Sequence, residues 1–322
     1  MRLRHVGSIV GLVLAASWGG SATASAAGGP ILPGPAYGPQ GVTAPGSGDR
    51  YVTLFGANPL LIARVQQDGG QVLDSGSFGN FAIPSVTVNG SAGGLSADSS
   101  TLVLAPTRPG LRRPKTTLKV LDAERLRVRK LIRLDGSFTF DAVSPDGARI
   151  YVIEYPSAPD TTRYSVRAVN TRSGRLLPDP IVDPNEPPGE MRGYPLRRAS
   201  SPDGRWAYTL YDGGGKHPFI HALDTVEGRA VCIDLDAIDV RAAYSTRLTA
   251  SADGSELTLS DRKHGPIGVV DAQTFEVSAP SQTDGGDGFP WLGVVLVPLA
   301  LAGAWLLART IRRRRLAPGG AR

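Results

Sequence analysis

Four aspartates recur in one short motif, and a carboxylate beside a hydroxyl could serve as a general acid, a general base or a metal ligand. They are Asp98, Asp146, Asp203 and Asp253, each two residues after a serine (Ser96, Ser144, Ser201, Ser251), at spacings of 48, 57 and 50 residues. A calcium loop needs several oxygens within about twelve residues, which this spacing denies. Asp followed by Gly is instead the chemistry of a tight turn, the carboxylate capping backbone N–H groups and the glycine supplying positive φ. Of the four histidines, His5 belongs to the N-terminal leader, leaving His217, His221 and His264. On a strand His217 and His221 share a face, yet without a placed carboxylate they make a poor zinc set. Cys232 is the sole cysteine, so no internal disulfide can form, and its apolar setting in Ala230-Val-Cys-Ile233 reads as core. No Gly-x-Ser-x-Gly elbow, phosphate-binding glycine loop or His-Glu-x-x-His helix occurs. No catalytic residue, cofactor or metal is therefore expected.

The elements around these motifs are short strands. Each serine motif runs into a β-branched or aromatic stretch: Thr101 to Leu104, Ile150 to Ile153, Trp206 to Leu210 and Leu257 to Leu259. A second turn follows each stretch, opened by Asp122, Asn170, Asp224 or Asp271, whose side chains accept backbone N–H bonds. A degenerate first copy has Gly48-Asp49 before Tyr51 to Leu54 and a second turn at Asp68-Gly-Gly70. That makes five units of four short strands, a period at which single units cannot bury their own apolar faces.

The termini carry the location. Arg2 and Arg4, the apolar run Val6 to Ala16 and the small residues near Ala26 have the three parts of a secretory leader, residues 1–27. Near the other end, Trp291 to Ala308 is uncharged and mostly apolar, just long enough to span a bilayer. Arg309 and the run Arg312 to Arg315 then place the C-terminus in the cytoplasm by the positive-inside rule. The expected organisation is leader 1–27, glycine- and proline-rich linker 28–41, repeat body 42–279, flexible stalk 280–290, transmembrane helix 291–311 and basic tail 312–322. Two of the 35 basic residues lie in the leader and six in the tail, so the exposed part holds 27 against all 29 acids, a net of −2. The sequence pI of 9.6 thus reports topology and not nucleic-acid binding.

Through Tyr51-Val-Thr53, Tyr151-Val-Ile153 and the Ser-Pro-Asp-Gly turns at 144 and 201, the units resemble the YVTN-type and WD-like propeller repeats of bacterial surface proteins. The Gly-His and Trp-Asp signatures of true WD repeats are absent. The resemblance implies an all-β fold, a β-propeller with five blades as first expectation, six as second and an open β-solenoid as third, plus one C-terminal transmembrane helix. It also implies a binding or scaffold module for an envelope protein or glycan on the outer face of a bacterial membrane. The alternative is a propeller hydrolase or lactonase-like enzyme with a metal at the channel mouth. In such a blade the serine-motif turns and the Asx turns share one rim, and the irregular connections collect on the other. The partner is expected on that irregular rim, at Arg108, Arg112, Arg113, Lys115, Glu154, Asp212, His217, Asp261 and His264, with the basic loop favouring an anionic group. The acids Asp234, Asp236 and Asp239 read as a solvated strand end and loop, and Pro178 to Pro195 as one long link.

Overall fold

The computed structural model describes residues 41–55, 60–68, 70–108, 114–156, 164–186 and 191–280. The expected leader, transmembrane span and basic tail, together with Arg112 and Arg113, lie outside them, and among the described residues no helix is long and apolar enough to cross a membrane.

Among the described residues twenty strands form five four-stranded antiparallel sheets, each a simple meander. The first holds β1 (Val42–Thr43), β2 (Arg50–Leu54), β3 (Leu61–Val65) and β4 (Val72–Ser77). The second holds β5 (Phe81–Ala82), β6 (Thr101–Pro106), β7 (Lys115–Asp122) and β8 (Arg127–Asp135). In the third are β9 (Ser137–Val143), β10 (Arg149–Tyr155), β11 (Ser165–Asn170) and β12 (Arg175–Ile181). The fourth comprises β13 (Pro195–Ser200), β14 (Trp206–Tyr211), β15 (Phe219–Asp224) and β16 (Arg229–Asp234). A short helix, α1 (Val240–Ser245), precedes the fifth, made of β17 (Arg247–Ala250), β18 (Glu256–Asp261), β19 (Gly265–Asp271) and β20 (Val277–Ser278). The five sheets fit propeller blades in strand number and connectivity. Two compact units divide after Tyr244, four sheets in the first and one in the second.

Within the first unit each sheet stacks on the next. Tyr51 and Ile62 of the first sheet meet Leu102, Leu104 and Leu121 of the second. Val103, Leu118 and Ile132 of the second meet Phe140, Ile150 and Val152 of the third. Tyr151 and Val166 of the third meet Ala207 and Leu223 of the fourth. A strand covered on both faces needs apolar residues at successive positions, not alternate ones. Leu102 to Leu104 and Ile150 to Val152 are accordingly buried without a break. The outermost strands are edges, which is why β12 tolerates Pro178 and Pro180.

All four serine motifs close the turn between the first and second strands. In the third sheet Ser144 Oγ donates to Asp146 Oδ1 at 2.7 Å and accepts from Arg149 N at 2.9 Å, while Asp146 Oδ1 accepts from Ala148 N at 2.9 Å. Ser201 with Asp203, Ser251 with Asp253 and Ser96 with Asp98 repeat that pattern. Gly147 and Gly204 have φ of +69° and +72°, and Ser99 holds the same place in the second sheet at 58°. The Asx residues close the third-to-fourth turn, as with Asn170 Oδ1 accepting from Ser173 N at 2.8 Å. Both turn sets therefore lie at one end of every sheet, and the second-to-third connections and the sheet-to-sheet links lie at the other.

One irregularity enters the first unit. Between β5 and β6 the chain makes a small loop, bridged by Ser85 and Ala92, that crosses to the inner strand of the fourth sheet. Val88 N donates to Pro195 O at 2.9 Å and Asn89 Nδ2 to Leu196 O at 2.8 Å.

Candidate functional site

At the irregular end of the fourth sheet a cavity of about 280 Å³ opens between the β12–β13 link, the β14–β15 loop and strands β15 and β16. The β14–β15 loop is shaped by Asp212, whose Oδ1 accepts from Tyr194 N at 2.8 Å and Gly214 N at 3.0 Å while Oδ2 accepts from Tyr244 OH at 2.6 Å. Gly214 sits there at φ 59°, a left-handed conformation outside the helical range that glycine adopts freely, within the short turn Gly213–Gly215. The cavity's apolar wall is Met191 and Phe219, the latter stacked on buried Tyr211 with centroids 5.1 Å apart.

Across this wall β15 and β16 pair His221 directly opposite Cys232. The Cys232 Sγ and His221 Nδ1 are 4.0 Å apart, and both side chains line the cavity. His221 is 2% exposed, and its Nε2 has no hydrogen-bond partner. Burial, and next the Asp141 carboxylate working against it, leave the imidazole's pKa lowered from 6.5 to about 4. Burial, then the Asp183 carboxylate, pushes the Cys232 thiol up to about 12. Asp183, itself buried, accepts from Cys232 N at 2.8 Å and from Asn185 N at 2.9 Å. At neutral pH the pair is thus a thiol and a neutral imidazole. That is the reverse of an activated cysteine nucleophile, which needs a depressed pKa.

The mouth is charged. Asp234, Asp236 and Glu186 oppose Arg192 and Lys216, and His217 Nδ1 lies 3.9 Å from Asp236. Deeper in the unit, Arg198 on β13 and Asp141 on β9 form an ion pair with side chains 9% and 4% exposed. These two line a second cavity of about 330 Å³ bounded by the inner strands and the crossing loop.

The predicted residues divide in this frame. His217 reaches the cavity, but from the loop before β15, so it shares no strand face with His221, contrary to the sequence expectation. Asp212 is buried and engaged in shaping the loop. Glu154 is bound to Arg167 on the neighbouring strand. Lys115 begins β7, 3.6 Å from Asp135, and Arg108 is exposed. In the second unit Asp261 accepts from Lys263 N at 2.7 Å and meets His264 Nδ1 at 3.0 Å. Two readings change. Cys232 is half-buried at a cavity wall instead of in the core, and the Pro178–Pro195 link is shortened because β12 runs to Ile181. Asp234, Asp236 and Asp239 are exposed at a strand end and loop, as expected, and the first two also border that cavity. The sequence signal for the site was the polar pair His221 and Cys232 in otherwise apolar strands. It stayed weak because their cross-strand pairing is not visible in sequence.

Among the described residues no group of three His, Cys, Asp or Glu side chains is placed to hold a metal ion. No family model and no curated protein matches the chain. Among solved structures it is similar to Kuenenia stuttgartiensis hydrazine synthase, at 16% identity over 73% of this chain and 69% of that one, TM-score 0.41. TolB from Acinetobacter baumannii matches at 17% identity over 71% of this chain and 51% of that one, TM-score 0.41. The β-propeller domain of Myceliophteria thermophila Cps50 (Swd1) matches at 8% identity over 71% and 64%, TM-score 0.42. The chain thus spans about half of that TolB chain.

Proposed function

We propose that this chain is a β-propeller binding module, secreted by its leader and held on the outer face of a bacterial membrane by Trp291 to Ala308, whose irregular rim docks an envelope protein. The observation that carries the binding reading is the asymmetry of the sheet ends. The turn end is uniform and its carboxylates are engaged with backbone N–H groups and arginines, whereas the other end holds the charged cavity beside His217. The cavity mouth favours a cationic group, and the loop bearing Arg108 and Lys115 an anionic one. A protein surface presents both signs where a neutral glycan presents neither.

Two experiments test this. Truncation after Asp287 is expected to release a soluble, folded body, and a truncated protein that stays in the membrane pellet with its leader cleaved refutes the single anchor. A photo-cross-linking residue at position 236 of the full chain, in intact membranes, is expected to yield a discrete protein adduct that the same group at Arg127 does not. Adducts from both positions or from neither refute the rim.

A further inference from the structure

The third sheet breaks register at a buried carboxylate. Tyr151 pairs with Ala142 and Val152 with Phe140, so Asp141 is the extra residue of a β-bulge in β9. Plain alternation would put Phe140 and Ala142 on one face of the sheet. Instead Phe140 packs with Leu118 and Ile132 of the second sheet and Ala142 with Ala207 and Leu223 of the fourth, so the bulge turns them apart. A bulge re-aims the residue it carries, and Asp141 meets Arg198 on β13, the inner strand of the next sheet. A buried ion pair adds little to stability over apolar residues of the same volume, so the fold alone gives no reason for it. The guanidinium is also under-used. Its Nη2 donates to Asp141 Oδ1, and its buried Nε has no partner, which demands an explanation.

Both side chains line the cavity of about 330 Å³, and among the described residues they are its only charged groups. Its mouth lies at the turn end, where Pro45, Ser200 and Pro202 are exposed. On another side it is bounded by the loop that crosses to Pro195 and Leu196, which contributes Val86, Ala92 and Gly93. Gly93 lets that loop approach the third sheet, for a Cβ there would stand 2.8 Å from Val86 Cγ1 and 3.1 Å from Phe140 Cε1. From this we propose that the cavity binds a free α-amino acid as its zwitterion, the carboxylate on Arg198 and the ammonium on Asp141, with Val86, Phe140 and Val143 walling an uncharged side chain. Opposite charges held side by side match a ligand whose carboxylate and ammonium share one carbon. A carboxylate without the amine brings its charge against Asp141, and an amine without the carboxylate brings its charge against Arg198. A neutral sugar needs neither. The guanidinium fork can take a carboxylate by two parallel bonds, which a lysine cannot. The volume stands at the small end of ligand pockets, about 300–1,000 Å³, and suits a single small molecule. The site does not depend on the rim docking a partner.

The test is calorimetric titration of the full-length protein in detergent with alanine, leucine and phenylalanine, each beside its amide and its deaminated acid, and with glucose. Expected is saturable binding of at least one of the amino acids at one molecule per chain, with affinity lower by about tenfold or more for its amide and for its deaminated acid. Arg198→Lys keeps the charge and loses the fork, and Asp141→Asn keeps the shape and loses the charge. Each is expected to weaken binding by about tenfold or more. No saturable binding of any of the three, equal affinity for an amino acid and either of its analogues, preference for glucose, or unchanged binding by both variants overturns the site. Should the variants fail to fold, the wild-type comparison of amino acid with amide and acid decides, since it needs no substitution.

Discussion

The turns of the sheets and the cavity at the far end of the fourth sheet use acidic residues to different purposes. At the turn end, Asp146 is held below the usual carboxylate range first by the Ser144 hydroxyl and then by the Ala148 N–H. Asp122 is lowered by the Arg129 guanidinium and then the Arg125 N–H. Burial would raise Asp224, but Arg205 and the N–H groups of Glu227 and Val226 outweigh it. Each of these carboxylates has its partners within its own turn or on the adjoining strands. At the irregular end the buried His221 has an orphan nitrogen, and Asp234 and Asp236 border a cavity. Repetition of an acidic residue therefore marks structure here, and the departure from repetition marks the site.

The first way to break this contrast lies between the two ends. Removing one partner of a buried ion pair leaves the other uncompensated, so Arg198→Ala should cost about 3–5 kcal/mol in urea unfolding. A loss below ~1 kcal/mol would show Asp141 to be hydrated and the interior of the first unit to be open.

Acid separates the ends next. His221 has a folded pKa of about 4 against an ordinary 6.5, so the unfolded chain binds more protons between those values and stability falls as pH drops through that window. Across it the loss approaches about 3 kcal/mol at 1.36 kcal/mol per unit. The turn carboxylates are depressed, so their contribution is complete above the unfolded value of about 3.9 and vanishes only as pH falls through their folded values. His221→Gln should abolish the decline between pH 6.5 and 4 and leave the one below it. A decline unaltered by that substitution would place the acid sensitivity at the turns.

The turns themselves are tested by Gly147→Val and Gly204→Val. Beyond strain of about 1–3 kcal/mol at positive φ, a Cβ would stand 2.4 Å from Thr101 Oγ1 in the first and 2.5 Å from Ala97 Cβ in the second. Both neighbours belong to the second sheet, so the turns also lock sheets together. Unchanged unfolding midpoints in both variants would remove the structural role of the motif.

What was legible in sequence followed from local chemistry. The six residues from Ser144 to Arg149 contain the donors and acceptors of their turn, so the turn, the strand after it and the period all read directly. The second signature read equally well, since Asn170 and Asp224 bond within three residues. The cavity did not, because His221 meets Cys232 only through strand register and Asp183 reaches Cys232 N from 49 residues away. Asp212 was singled out as a rim residue, but its bonds to Tyr194 and Tyr244, 18 and 32 residues distant, make it the loop's keystone. Nor did the segment around Val88 announce that it would cross to β13, for it has the composition of an ordinary loop.

The measurement that bears most directly on the contrast between the ends is a charge reversal made at each. Asp234→Lys with Asp236→Lys changes the cavity mouth, and Arg127→Glu with Arg175→Glu makes a change of equal size on exposed outer-strand positions beside the turns. Partner recovery by cross-linking from intact membranes is predicted to fall at least tenfold with the first pair and to stay within twofold of wild type with the second. Equal losses from both pairs, or no loss from the first, would contradict the assignment of binding to the irregular rim.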